Sequence, residues 1–140
     1  MGFKLVEIGE GMAIVEMTST EDMANHSGFL HGGIISTLAD SAMGRSVRTL
    51  KPAVIRAMSF DLKLNFINAA RIGENLRATG LVIHAGRRTI VTECRVEGPG
   101  AKLVATASAT FAVTREKERT LPMTQATPPS PVSPLTGGED

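Results

Sequence analysis

One segment of this 140-residue chain breaks a pattern that the rest obeys. From Gly32 to about Leu50 the apolar residues recur at helical spacing, and Ile34, Ile35, Leu38, Ala39, Ala42 and Met43 form a broad stripe. Most of what flanks it alternates with period two, as half-buried strands do. Ala13, Val15 and Met17 share a side within Met12 to Thr18. Phe60, Leu62, Leu64 and Phe66 alternate with Ser59, Asp61, Lys63 and Asn65. Leu76 to Ala85 and Thr89 to Glu97 follow, joined through "HAGRRT", where Gly86 suits a hairpin turn. "GPG" at Gly98 to Gly100 makes the next turn, and Leu103 to Val113 sets Leu103, Ala105, Ala107, Ala109, Phe111 and Val113 on one face.

The order read from the chain is two strands, one long helix and four strands, an α+β arrangement in one domain. Short links between strands imply antiparallel pairing. A single helix covers one face of such a sheet, yet several strands carry apolar side chains on both sides. A second copy of the chain is the simplest cover for the remainder.

Composition narrows the classes. Hydrophobic residues make up 42% and charged residues 21%, the balance of an ordinary soluble globule with enough apolar material for one core. A net charge of +1 without any basic block argues against nucleic acid or an anionic membrane as partner. No apolar run approaches the roughly 20 residues needed to span a bilayer. The start, "MGFKLVEIGEG", lacks the apolar stretch of a signal peptide, and Val6 stands where a myristoylation signal wants Ser or Thr. The single cysteine, Cys94, fits a reducing compartment, so the cytoplasm is the expected location. Residues 115–140 turn charged and then rich in Pro, Ser, Thr and Gly, with five of the seven prolines between Pro122 and Pro134. Such a segment buries too little apolar surface to offset its ordering entropy, and it is expected to be a disordered tail behind a folded domain of residues 1–114.

The helix holds the chemistry. Gly32 and Gly33 open it although each costs about 1 kcal/mol of helix propensity relative to Ala. A helix start carries unpaired N–H groups and partial positive charge, and bare glycine lets another molecule approach that backbone. Those are the properties of an oxyanion hole. Asp40 supplies a carboxylate able to attack an acyl carbon or activate a water. Eight residues separate Gly32 from Asp40, about 12 Å along the axis at ~1.5 Å per residue, too far for both to act on one carbonyl. Two antiparallel helices from two subunits would bring them together.

Each residue also has a plainer reading. A Gly-Gly step is ordinarily a flexible helix entry, an Asp in a helix is ordinarily solvated, and His31 ordinarily bonds at the helix entry. Cys94 shares a strand face with Ile90, Thr92 and Val96 and reads as core. His26, His31, His84 and Cys94 form no metal-ligand set, so no metal is expected. There is no P-loop and no dinucleotide fingerprint.

Asn25, then His31-Gly32-Gly33, then Leu38-Ala39-Asp40 and Gly44, together resemble the signature of hotdog-fold acyl-CoA thioesterases, and most closely the phenylacetate-pathway (PaaI-type) branch. The "G-E-x-L" step at Gly73 to Leu76 and the "H-x-G-R-R" hairpin at His84 to Arg88 add to it, and the resemblance runs from Phe3 to Val113. It implies a hotdog fold, one long central helix wrapped by an antiparallel sheet of five to six strands. It implies hydrolysis of an acyl-CoA to free acid and CoA, with no cofactor and with two sites per homodimer, often paired into a tetramer. By the same resemblance Gly32 polarises the thioester carbonyl, beside Gly33 in the substrate site. Asp40 of the opposite subunit serves as nucleophile or base, Asn25 and His31 shape the carbonyl end, and Ser59 helps hold the attacking water.

Coenzyme A carries phosphates, for which Arg87 and Arg88 offer planar donors. His84, Gly86 and Thr89 match the family's nucleotide-contacting segment, and Arg71 is a further candidate to assist. Two rivals remain at this stage. A hotdog-fold dehydratase or hydratase would use His31 as base, and a non-catalytic acyl-CoA sensor would keep the pocket without the acid. The tail gives a first test. Truncation after Arg119 is expected to leave melting temperature and activity almost unchanged; a large drop in either would show that this segment docks.

Overall fold

In a computed structural model, residues 2–116 of the chain are described. Six strands and one long helix form a single layer pair: β1 (Lys4–Gly9), β2 (Met12–Thr18), α1 (Gly32–Val47), β3 (Val54–Phe66), β4 (Asn75–Ala85), β5 (Thr89–Glu97) and β6 (Leu103–Arg115). The sheet order is β1-β2-β4-β5-β6-β3, antiparallel throughout. The expected arrangement, one long helix against an antiparallel sheet of five to six strands, is the one observed, with six. The strand β6 runs through Arg115, and the segment expected to be disordered lies, from residue 117, outside the described residues.

Local propensity does little for α1. Its cap residue His31 makes no side-chain capping bond, and Ser36 and Thr37 hydroxyls donate back to the Gly32 and Gly33 carbonyls. Packing holds it instead. Ile35, Leu38, Ala39, Ala42, Met43 and Val47 are buried against the concave face of the sheet. Complete burial of Leu38 and Met43 contributes roughly 1.5–3 kcal/mol each. Facing them are Val15, Met17, Leu76, Ala78, Ile90 and Val96, together with Ala105, Ala107, Ala109, Phe111 and Val113 of β6. Leu103, expected on the same face, is only half-buried, because a register shift against β5 puts Val104 in the core.

The helix sits unusually close to β4. A Cβ built on Gly80 would lie 2.5 Å from the Ala42 carbonyl oxygen and 2.8 Å from the Met43 nitrogen, so backbone rests on backbone. Beyond Val47 the helix unwinds into turns, Arg48, Thr49 and Leu50 N–H donating to Gly44, Ser46 and Val47 carbonyls. The Thr49 hydroxyl donates to Ser46 O and accepts the Gly11 N–H, fastening that end to the β1–β2 turn.

The edge strand β3 departs from simple alternation. Ser59 pairs with Phe111 and Asp61 with Thr110, leaving Phe60 as an extra, bulged residue. Leu62 and Leu64 then pair with Ala109 and Ala107, whose side chains face the helix. Partners across an antiparallel pair point to the same side. The bulge therefore turns Ser59 to the helix side, where strict alternation would have set it opposite Leu62 and Leu64. Much of the apolar set of β3 and its exit is left open: Ile55, Met58, Phe60, Leu62, Phe66 and Ile67 are 41–68% exposed in the isolated chain.

Gly80→Ala should force α1 off the sheet and lower stability by about 1–3 kcal/mol, the usual cost of overpacking. Denaturant unfolding reads this directly, and an unchanged midpoint would show that α1 has room to spare.

Candidate active site

The fold sorts the candidate residues into three places. Asp40 and Ser59 meet in the first. They line one cavity of about 540 Å³ between the C-terminal half of α1 and the start of β3. Ala57 and Phe111 give it an apolar lining, with the exposed Met58 at its border and Gly44 facing the Phe111 ring. Asp40 Oδ1 is buried and has no hydrogen-bond partner among the described residues. A buried carboxylate oxygen left this way costs more than an ordinary unmade hydrogen bond, which structures rarely tolerate without a function at the site.

The N-terminal end of α1 is the second place. Ile34 and Ile35 N–H both donate to the His31 carbonyl, so the N–H groups of Gly32 and Gly33 stand outside the helical ladder. Gly33 is open, with nothing within 4 Å of a Cβ position, whereas a Cβ on Gly32 would lie 3.1 Å from the Phe66 ring. Asn25 orders the loop that leads in: its Oδ1 accepts the Ser27 and Phe29 N–H groups at 2.9 and 3.0 Å. His31 is exposed, and its N–H donates to Met23 O. Arg71 is at this end as well, bridged to Phe29.

The β4–β5 hairpin is the third. It carries His84, Arg87, Arg88 and Thr89 exposed around a half-buried Gly86, whose N–H donates to Thr89 O. The hairpin lies beside the cavity, since Ile90 pairs with the lining residue Phe111. Within one chain the structure does not bring Arg71 to it. The eleven residues of β4 intervene, roughly 30 Å of strand. Nor does one chain bring Gly32, Gly33, His31 or Asn25 to the Asp40 cavity.

Four further residues bear on the site without a signal strong enough to single them out in the sequence. Arg115 donates to the carbonyls of Lys51, Pro52 and Gly86, binding the hairpin to the segment after α1. A lone Arg at a strand end carries no such signature. Phe66 covers Gly32, and that contact depends on where β3 ends. Arg45 and Arg48 line the Asp40 cavity, but near a helix C-terminus they read as complements to the dipole.

Cys94 lies 3% exposed, and burial pushes its thiol up to about 12, so it is no thiolate nucleophile near neutral pH. Among the described residues no three His, Cys, Asp or Glu side chains could hold a metal ion, and no helix is long and apolar enough to cross a membrane. A second depression of about 350 Å³ lies on the outer face of the sheet among Lys63, Glu93, Arg95 and Ser108. No candidate residue lines it.

Comparison with known proteins meets this geometry. The sequence matches the thioesterase superfamily over residues 27–105, and the chain belongs to that family. It is 30% identical to the acyl-coenzyme A thioesterase PaaI of Escherichia coli over 105 residues, covering 75% of this chain and 73% of that protein. It is 27% identical to the 1,4-dihydroxy-2-naphthoyl-CoA hydrolase of Listeria monocytogenes, across 84% of this chain and 95% of the relative. A Streptococcus mutans protein solved bound to acetyl CoA superposes with a TM-score of 0.77 at 28% identity, covering 84% of this chain and 93% of that one. The fold is the hotdog fold of these thioesterases, and the chain is of the PaaI type.

Proposed function

We propose that the protein hydrolyses an acyl-CoA thioester to a carboxylic acid and free CoA, in the cytoplasm, with its active sites shared between two subunits. The observation that carries this is the unpartnered, buried Asp40 Oδ1 in a cavity that also holds Ser59. Such an oxygen is a ready proton acceptor or nucleophile.

The chemistry follows from what each group can do. The thioester carbonyl oxygen takes hydrogen bonds from the free N–H at Gly32 of the partner subunit, where Gly33 leaves the approach open. Asp40 removes a proton from a water held by Ser59 as the water oxygen adds to the carbonyl carbon; alternatively its own oxygen adds. The tetrahedral oxyanion collapses, the C–S bond breaks, and the CoA thiolate leaves and takes up a proton. Where Asp40 itself has attacked, water then hydrolyses the Asp40–acyl anhydride, releasing the acid and restoring the carboxylate. Water is the only co-reactant, so no cofactor is required. Asn25 keeps the loop before Gly32 in shape, His31 flanks the carbonyl end, and the Arg87–Arg88 hairpin with His84, Gly86 and Thr89 meets the nucleotide phosphates. Arg71 stands with the Gly32 end.

The partner subunit is supported by β3. A 13-residue edge strand with unpaired backbone and exposed apolar side chains is a template for pairing with another chain. Pairing two such strands about a two-fold axis buries that surface and sets the helices antiparallel. Acyl-CoA substrate and self-association are thus the partners this reading asks for, and further pairing of dimers is compatible with it.

Asp40→Asn should cut turnover on an acyl-CoA panel, followed by thiol release, at least ~10²-fold. The melting temperature should stay near that of the wild type, because the amide matches the carboxylate in size and Oδ1 has no hydrogen bond to lose. Near-normal kcat in this variant would take Asp40 out of the mechanism.

A further inference from the structure

The Asp40 cavity has a charged wall that hydrolysis itself does not use. Arg45 and Arg48 both line it, on the side away from the start of α1. By the helix rise they lie about 7.5 Å and 12 Å along the axis from Asp40. Neither guanidinium has a carboxylate or hydrogen-bond partner among the described residues; the ion pairs there join Arg77 to Glu16, Arg95 to Glu97 and Lys102 to Glu74. The residue one turn after Asp40 is Gly44, so no cation stands at the spacing that would pair with the carboxylate along the helix. Ala57 and Phe111 give the same cavity an apolar lining, with the exposed Met58 at its border.

The cavity thus combines a reacting carboxylate, an apolar lining and a pair of exposed, unpaired planar cations. The molecule that matches it carries a thioester carbonyl, several methylenes and a terminal anion. Proximity to the helix C-terminus accounts for cations on that turn. It does not account for two of them bordering the same cavity as the unpaired Asp40 oxygen. We propose that Arg45 and Arg48 select an acyl group ending in a carboxylate, so that the substrate is the mono-CoA thioester of a dicarboxylic acid. Guanidinium suits this task because its planar fork meets both carboxylate oxygens. The proposal rests on the reading of the cavity as the thioester site.

The test uses two substrates matched in length, hexanoyl-CoA and adipyl-CoA, which differ by the terminal carboxylate. The full chain should favour adipyl-CoA in kcat/KM by at least ~10-fold, the scale of one charge-assisted hydrogen bond. The variant Arg45→Met/Arg48→Met should bring the ratio to near one, and Arg45→Lys/Arg48→Lys should retain part of the preference. Equal rates on both substrates in the wild type, or a preference for hexanoyl-CoA, would overturn the assignment while leaving thioester hydrolysis standing. An equal loss on both substrates in the Met variant would overturn it too, showing that the arginines hold CoA. No hydrolysis of either substrate or of a wider acyl-CoA panel would instead remove the thioesterase reading, and this selectivity with it.

Discussion

The position of α1 on the sheet depends on one contact without side chains. At Gly80 the backbone of β4 meets the backbone of Ala42 and Met43, closer than any Cβ would allow. That contact sets the depth of the helix, and the Thr49 hydroxyl fixes its far end at Gly11. With depth and end fixed, the residues two to three positions before the contact have a set direction. Ala39 goes into the core, and Asp40 turns toward β3, where one of its oxygens is buried without a partner. The carboxylate is not placed by a network of its own. It is placed by the packing of everything around it.

The edge strand completes the cavity through a defect in its pairing. A regular β3 would turn Ser59 to the outer face. The extra residue Phe60 shifts the strand by one position and brings Ser59 to the helix side, with Phe111 opposite. Bulges re-aim side chains in this way at functional sites. The same strand exposes its apolar residues at the sheet edge, so the element that finishes the Asp40 cavity is also the one best suited to meet a second chain. Gly32 and Asp40 are complementary in charge and out of reach of each other on one helix. The proposed two-fold pairing would remove that conflict, because an antiparallel helix would present its start to the other's middle.

The parts legible in the sequence were those governed by periodicity. The helical stripe around Leu38 and Met43 stood out against alternating strands, and the β6 face from Ala105 to Val113 is buried as its alternation implied. Leu103 is an exception: the register shift between Val96 and Glu97 gives complete burial to Val104 instead. The bulge at Phe60 left no signal, because Ser-Phe-Asp-Leu alternates perfectly and only pairing with β6 shows the extra residue. Gly80 carries no signal in the sequence, since the need for a missing Cβ exists only once a helix lies across it. Arg71 was grouped with the hairpin by charge, and topology separates them by the length of β4. The acid at Asp40 was legible as chemistry; its lack of a partner was not, because burial of one oxygen is a property of the packed cavity.

The central claim is that each active site takes Gly32 from one subunit and Asp40 from the other, and subunit mixing addresses it most directly. Asp40→Asn removes the base. Gly32→Pro removes the donor N–H at the first helical position, where proline is best tolerated. Each parent should be inactive and folded, and its melting curve checks the second point. Mixed and allowed to exchange in equal amounts, they should recover about a quarter of wild-type activity, since half of the dimers are mixed and each mixed dimer holds one intact site. Mixed dimers that form and stay inactive would contradict the shared site.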